Sequence, residues 1–198
     1  MFEYEKKALQ NGYYCVAGVD EAGRGPLAGP VVASAVVLIS DEGLDGLNDS
    51  KKLSQQAREK FFPEIQSISK GFGIGVVAEN MIDEINILQA SLLVMKIAVE
   101  KIELPIDYLL IDGKQSIDSK IKQNAIIGGD SLSLSIAAAS VLAKVTRDRM
   151  MESYHKKYPQ YMFDRHKGYG TRLHREKIIE FGPCPIHRKT FKGVREFL

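Results

Sequence analysis

Three short apolar runs in this chain each end on a carboxylate beside glycine, and that repeated ending constrains the fold more than any other feature. Residues 14–19 run into Asp20 and Glu21 just ahead of Gly23, residues 108–111 stop at Asp112-Gly113, and residues 125–127 lead through Gly128-Gly129 to Asp130. Short apolar stretches closed off by turn residues read as buried strands. Residues 31–39 and 72–78 read as two more. The glycine- and proline-rich turn over residues 23–30 makes the first two strands antiparallel neighbours.

Elsewhere the apolar period lengthens to that of a helix. Ser54 is a candidate N-cap for a helix reaching residue 68, with Pro63 as its weak point. Asn80 is the expected cap of a longer helix, with Asp83 in its first turn. Ile82, Ile85, Leu88, Leu92, Met95, Val99 and Ile102 then recur at three- and four-residue steps and predict one apolar face. Residues 135–154 and 174–181 read as further helices, the first with an Ala137-Ala138-Ala139-Ser140 stretch that allows close backbone approach. This order of elements predicts a mixed α/β sheet. The 198 residues suit one compact domain, with residues 150–198 as a helical C-terminal extension.

Ligand sites of α/β sheets gather at strand ends, so Asp20, Glu21, Asp112 and Asp130 are placed to converge. Convergent carboxylates repel and raise one another's pKa, and bound divalent cations relieve that repulsion. An all-oxygen ligand set without His or Cys favours Mg²⁺ or Mn²⁺ over Zn²⁺. Neighbouring residues of a strand face opposite ways, so Asp20 and Glu21 share a site only if the strand bends, which Gly23 permits. The alternative is that each acid merely forms a hydrogen-bonded turn, and spacing alone does not decide. A phosphate-loop reading of residues 18–25 fails, because Arg24 and Gly25 stand where that loop needs lysine and Ser/Thr.

Charge is unevenly spread. Residues 144–198 carry 14 Lys and Arg against 6 Asp and Glu, whereas the rest carries 13 against 19. That split suits an enzyme that holds cations in one region and a polyanion in another, or simply a solvated basic surface. Cys15 and Cys184 have no paired spacing, which argues against a disulfide framework or a zinc site. No leader-like or membrane-length apolar run is present, and a cytosolic, monomeric protein is expected.

The run Gly18-Val19-Asp20-Glu21-Ala22-Gly23-Arg24-Gly25-Pro26-Leu27-Ala28-Gly29-Pro30-Val31-Val32 resembles the opening signature of ribonuclease HII. Further matches follow in family order: Asp49-Ser50-Lys51-Lys52-Leu53-Ser54, Ile111-Asp112-Gly113, Gly129-Asp130, residues 138–148, and His166-Lys167-Gly168-Tyr169-Gly170-Thr171. The resemblance implies a ribonuclease H-like fold, a five-stranded mixed sheet flanked by helices. It implies that Asp20, Glu21, Asp112 and Asp130 are the metal ligands and catalytic acids, holding Mg²⁺ or Mn²⁺, two per site during catalysis. It also implies cleavage on the 5′ side of a ribonucleotide, in RNA–DNA hybrids or at single ribonucleotides in duplex DNA, leaving a 3′-hydroxyl and a 5′-phosphate.

By the same resemblance Gly23, Arg24 and Gly25 sense the 2′-hydroxyl, Tyr169 packs on the ribonucleotide's sugar, and Asn48, Ser50, Lys51 and Lys52 form a phosphate-contacting loop. Lys144 and Arg147 are candidates for contact with phosphate or with the acids, plain surface charge being the alternative. The four histidines are scattered, and only His166, in a recognised motif, has an expected part, in a turn. Residues 193–198 faintly resemble the sliding-clamp tails of some members. Two positions depart from the common form: Gly128 stands where many members have lysine, and Leu132 where some have a basic residue. The related ribonuclease HIII pattern lacks the Gly-Arg-Gly triplet that is present here.

Overall fold

β1 (Val16–Ala22) and β2 (Val31–Val37) run antiparallel as the turn between them requires, with Asp20 opposite Ser34. β3 (Gly71–Val77) continues the meander beside β2. β4 (Tyr108–Asp112) lies parallel to β1, and β5 (Lys122–Ile126) parallel to β4, giving a five-stranded mixed sheet of order β3-β2-β1-β4-β5. A computed structural model describes residues 1–47 and 53–198; Asn48, Ser50, Lys51 and Lys52 lie outside the described residues.

Every residue of β2 is buried, because helices cover both faces of the sheet. Ala17 and Val19 face α3 (Glu79–Glu100), and Val16 and Gly18 face α4 (Leu134–Lys157), as alternation along a strand demands. The first turns of α4 are buried all round, which explains their run of alanines. α2 (Gln55–Ile68) begins at the expected cap, with Ser54 Oγ accepting from the Ala57 N–H at 3.1 Å, and it passes Pro63 without breaking.

Two helix expectations need correction. α3 starts after Ala78 with no side-chain cap, and the capping asparagine is Asn86 rather than Asn80. Asn86 adopts φ 68° inside the helix, and its Oδ1 accepts from the N–H groups of Leu88 and Gln89 at 3.0 and 3.2 Å. Asparagine tolerates the left-handed region and caps well, so it restarts the helix there. The break turns the buried face to Ala90, Val94 and Ala98 and leaves Ile85, Leu88 and Leu92 only half-buried. An N-terminal helix, α1 (Glu3–Gln10), was not anticipated. Its buried Glu5 accepts from Ser133 Oγ at 2.6 Å and from the Ser135 N–H at 2.9 Å, tying it to the start of α4.

After α4 the chain forms a short α5 (Phe163–His166) and α6 (Arg172–Phe181), the latter capped by Thr171. This extension folds back over the β1–β2 turn. Leu27 N–H donates to Gly168 O, Gly29 N–H to Ile186 O, and Arg188 N–H to Leu27 O, each at 2.8 Å. No helix among the described residues is long and apolar enough to cross a membrane. Both cysteines are free.

Candidate active site

Parallel pairing aligns Val19 with Ile111, so the next residues, Asp20 and Asp112, stand at adjacent strand ends. Asp20, Glu21 and Asp112 line one cavity of about 590 Å³, together with Gly23, Arg24, Gly25, Arg58, Ser140, Lys144 and Tyr169. Glu21 reaches it from the end of β1. β1 stays paired with β2 through Ala22 while its pairing with β4 ends at Val19, so Glu21 lies on an overhang. Asp130 sits in a 3-10 turn over Gly129–Ser131, 2% exposed, and is not among the residues lining the cavity. Its neighbour Gly129 donates its N–H to Asp112 Oδ1 at 2.7 Å, which ties the Asp130 turn to the end of β4.

Burial pushes the Asp20 carboxyl well above the usual carboxylate range, and the charges of Glu21 and Asp112 add to the push. Hydrogen bonds from Ser140 and from the Glu21 N–H, the latter at 2.7 Å, oppose it. Burial also raises Glu21, to about 6, despite an ion pair with Arg24 at 3.1 Å. Glu21 Oε2 is buried with no hydrogen-bond partner among the described residues. Hard oxygen donors, mutual repulsion and a buried lone oxygen suit a divalent cation. Among the described residues no three His, Cys, Asp or Glu side chains form a ready coordination group, and one oxygen of each of Asp20, Glu21 and Asp112 already accepts from a protein donor. Cation binding therefore asks these side chains to re-aim, starting with the Arg24–Glu21 pair.

Tyr169 comes to the cavity as the sequence motif implies, 42% exposed beside Gly25. Its position is set by a turn in which Lys167 and Gly168 take left-handed φ of 49° and 84°, and the Tyr169 N–H donates to His166 O at 2.8 Å. His166 has the expected turn role, its ring bonded to Tyr161 O at 2.9 Å and to the Gly168 N–H at 3.2 Å. Lys144 lines the cavity, paired with Asp148 at 2.7 Å. Arg147 is neither a phosphate contact nor a surface charge. It is fully buried and donates to the carbonyls of Ala28, Pro30 and Lys167 at 2.9–3.1 Å. A side chain at Gly23 (φ 101°) would run into that guanidinium, so the position requires glycine on two counts.

Arg58, Ser140 and Arg188 were missed from the sequence. Ser140 lay within a recognised motif, but Arg58 and Arg188 carried no local signal. Three of the four histidines, scattered in sequence, converge in space: His166 stacks on His174 at 4.3 Å, and His174 Nε2 meets His187 Nε2 at 3.0 Å. Their roles follow from the backbone. The Cys184 N–H donates to His187 Nδ1 at 2.9 Å, and Tyr169 O accepts from His174 Nδ1 at 2.9 Å. His187 Nε2–H must then donate to His174 Nε2, leaving no site for another proton on either ring. Burial accordingly lowers His174 to about 3 and His187 to about 4.

A pH dependence follows. The folded pKa values lie below the unfolded 6.5, so these rings contribute stability that is complete above pH 6.5 and lost as pH falls toward 4. Each ring withdraws up to about 2 kcal/mol between pH 6.5 and 5. Glu21 acts oppositely: its stabilisation is complete below pH 4.5 and lost as pH rises through about 6. Urea unfolding across this range, with the two rings followed by proton NMR, checks the pair. Ring signals flat from pH 8 to 5.5 are expected, and a titration near pH 6.5 would show the relay to be open.

A second cavity, of about 620 Å³, lies between the end of α3 and the β4–β5 connection. Its Asp118 is already paired with Lys96 at 2.7 Å, and no glycine loop borders it. The chemistry therefore belongs to the first.

A mixed sheet of this order, with Asp20 and Asp112 where its parallel strands β1 and β4 end, has the ribonuclease H-like fold. The chain belongs to the ribonuclease HII family, whose model, described as Ribonuclease HII, matches residues 17–194. Ribonuclease HII of Syntrophotalea carbinolica is 53% identical over 195 residues, covering 98% of this chain and 93% of that protein. The crystal structure of ribonuclease H2 from Pyrococcus horikoshii matches with a TM-score of 0.76 and 27% identity, covering 93% of this chain and 97% of that one. Ribonuclease HII of Archaeoglobus fulgidus, solved in complex with PCNA, matches with a TM-score of 0.74 and 26% identity, covering 90% of this chain and 96% of that one. The chain is an enzyme, a type 2 ribonuclease H that acts on RNA–DNA hybrids.

Proposed function

We propose that this enzyme hydrolyses the phosphodiester bond 5′ to a ribonucleotide, both in RNA–DNA hybrids and at a single ribonucleotide in duplex DNA, leaving a 3′-hydroxyl and a 5′-phosphate. The observation that carries the reading is the shared cavity, where three carboxylates stand beside the Gly23-Arg24-Gly25 triplet and the Tyr169 ring. Asp20, Glu21 and Asp112, with Asp130 beside them, are the residues that would hold Mg²⁺ or Mn²⁺. Two such cations supply, when bound, activation of the attacking water and neutralisation of charge at the leaving 3′-oxygen.

The rest falls to the chain itself. Glycines at 23 and 25 let main-chain groups come close to a sugar, and the 2′-hydroxyl is what tells RNA from DNA at a site. Tyr169 offers a flat face for that sugar. Arg24, Arg58 and Lys144 line the cavity as cations for the phosphates. Asn48, Ser50 and Lys51 remain part of this proposal as phosphate contacts.

The test is a DNA duplex carrying one ribonucleotide, incubated with Mg²⁺ or Mn²⁺. Nicking on its 5′ side is expected, with 3′-hydroxyl and 5′-phosphate ends; cleavage of long hybrids alone would overturn the single-ribonucleotide reading. A secondary reading concerns the tail, whose Phe197 and Leu198 are 43% and 70% exposed. With the Archaeoglobus relative solved bound to PCNA, these residues are the place where a sliding clamp would be sought.

A further inference from the structure

Arg188 is fully buried, and its guanidinium serves the main chain of one short loop. Nη2 donates to Gly23 O at 2.6 Å and to Pro30 O at 3.2 Å, Nη1 to Arg24 O at 2.9 Å, and Nε to Gly29 O at 3.0 Å. Phe191 lies under the guanidinium, 5.0 Å from its ring centre. Arg147 takes Pro30 O and Ala28 O through the same kind of contact. Removing a guanidinium from water is costly, and carbonyls repay less of that cost than a carboxylate does. Burial accordingly drives the Arg188 pKa down.

Peptide geometry says what this burial achieves. In a trans peptide the N–H points opposite to the carbonyl, and no cis peptide is present among the described residues. With the carbonyls of Gly23 and Arg24 drawn onto Arg188, the N–H groups of Arg24 and Gly25 turn away from it, on the stretch of loop that lines the acid cavity. We propose that Arg188 is a specificity-determining positioning residue, which aims the Arg24 and Gly25 amides as fixed donors toward the 2′-oxygen of a bound ribonucleotide. This inference rests on the functional reading above. Arg188 touches no substrate and acts only through the loop it holds. The fork is planar and has five donors, so it can serve several carbonyls at fixed angles, whereas a lysine is a point charge that cannot.

The experiment is Arg188→Lys in the full chain, with amide hydrogen exchange over residues 22–30 measured beside cleavage kinetics. Exchange at Leu27 and Gly29, whose N–H groups donate to Gly168 O and Ile186 O, should quicken about tenfold or more as the loop loosens, with residues 16–20 of β1 unchanged. On the one-ribonucleotide duplex kcat/KM should fall about 100-fold, while binding to an all-DNA duplex stays within about twofold. A purely structural role would lower the Tm and weaken both substrates alike. Unchanged exchange at Leu27 and Gly29, or equal losses on both duplexes, would overturn the proposal. If Arg188→Lys does not fold, Phe191→Leu takes its place: it keeps all the donors, removes their platform and should move both readings the same way. Should the wild type leave the one-ribonucleotide duplex intact, the functional reading fails, and the exchange result still judges the hold of Arg188 on its loop.

Discussion

Asp112→Asn should lower kcat on a ribonucleotide-containing duplex by about 1,000-fold or more while leaving duplex binding nearly intact. The amide keeps an oxygen for the Gly129 N–H, which donates to Asp112 Oδ1 at 2.7 Å, so the connection to the Asp130 turn survives. What goes is one negative charge beside Asp20, whose carboxyl is already pushed up by burial, by Glu21 and by Asp112 itself. Without divalent cation the variant should therefore melt at or above the wild-type temperature. The rise in Tm that Mg²⁺ gives the wild type should shrink or vanish in the variant. Persistent cleavage by Asp112→Asn would remove this residue from the chemistry. Loss of binding together with cleavage would point to a misfolded site instead.

Gly18→Ala should be strongly destabilising for a single added methyl. Its Cβ would fall inside contact distance of Ser135 C and Ile136 N, both main-chain atoms of a buried helix. A flexible side chain could swing away, but these atoms can move only if α4 lifts off β1. Overpacking of this kind costs about 3 kcal/mol or more, equivalent to a fall in Tm of roughly 6–12 °C for a chain of this size. Lifting the helix also separates Ser140 from Asp20, so activity should fall further than stability alone explains. Gly25→Ala is the control, since the added carbon meets only a Tyr169 ring atom at 3.9 Å. Its Tm should stay within about 2 °C of the wild type. Similar melting of both variants would refute the close helix–strand contact.

Four of the strands were legible because burial between two helical layers leaves near-continuous apolar runs, and because glycine marks where those runs stop. β5 (Lys122–Ile126), expected at 125–127, starts earlier because it is a largely polar edge strand with only Ile126 buried. The α3 break was not, because the apolar period runs straight through Asn86 and only its left-handed φ reveals the restart. Glu5 could not be read as a core residue, since its partners Ser133 and Ser135 lie 128 and 130 positions away. Arg147 and Arg188 looked like ordinary basic residues of a positively charged segment. Their burial depends on carbonyls far off in sequence, and no residue type announces a main-chain acceptor. The histidines failed for the same reason: periodicity reports which face of an element is buried, not which faces of separate elements meet.

The hold of Arg188 on Gly23 spans 165 positions. As the polypeptide leaves the ribosome, the acid-bearing strands are all made well before residue 188 appears. An unfinished molecule can thus bring its acid-bearing strands together while the carbonyls of Gly23 and Arg24 still lack the guanidinium that holds them.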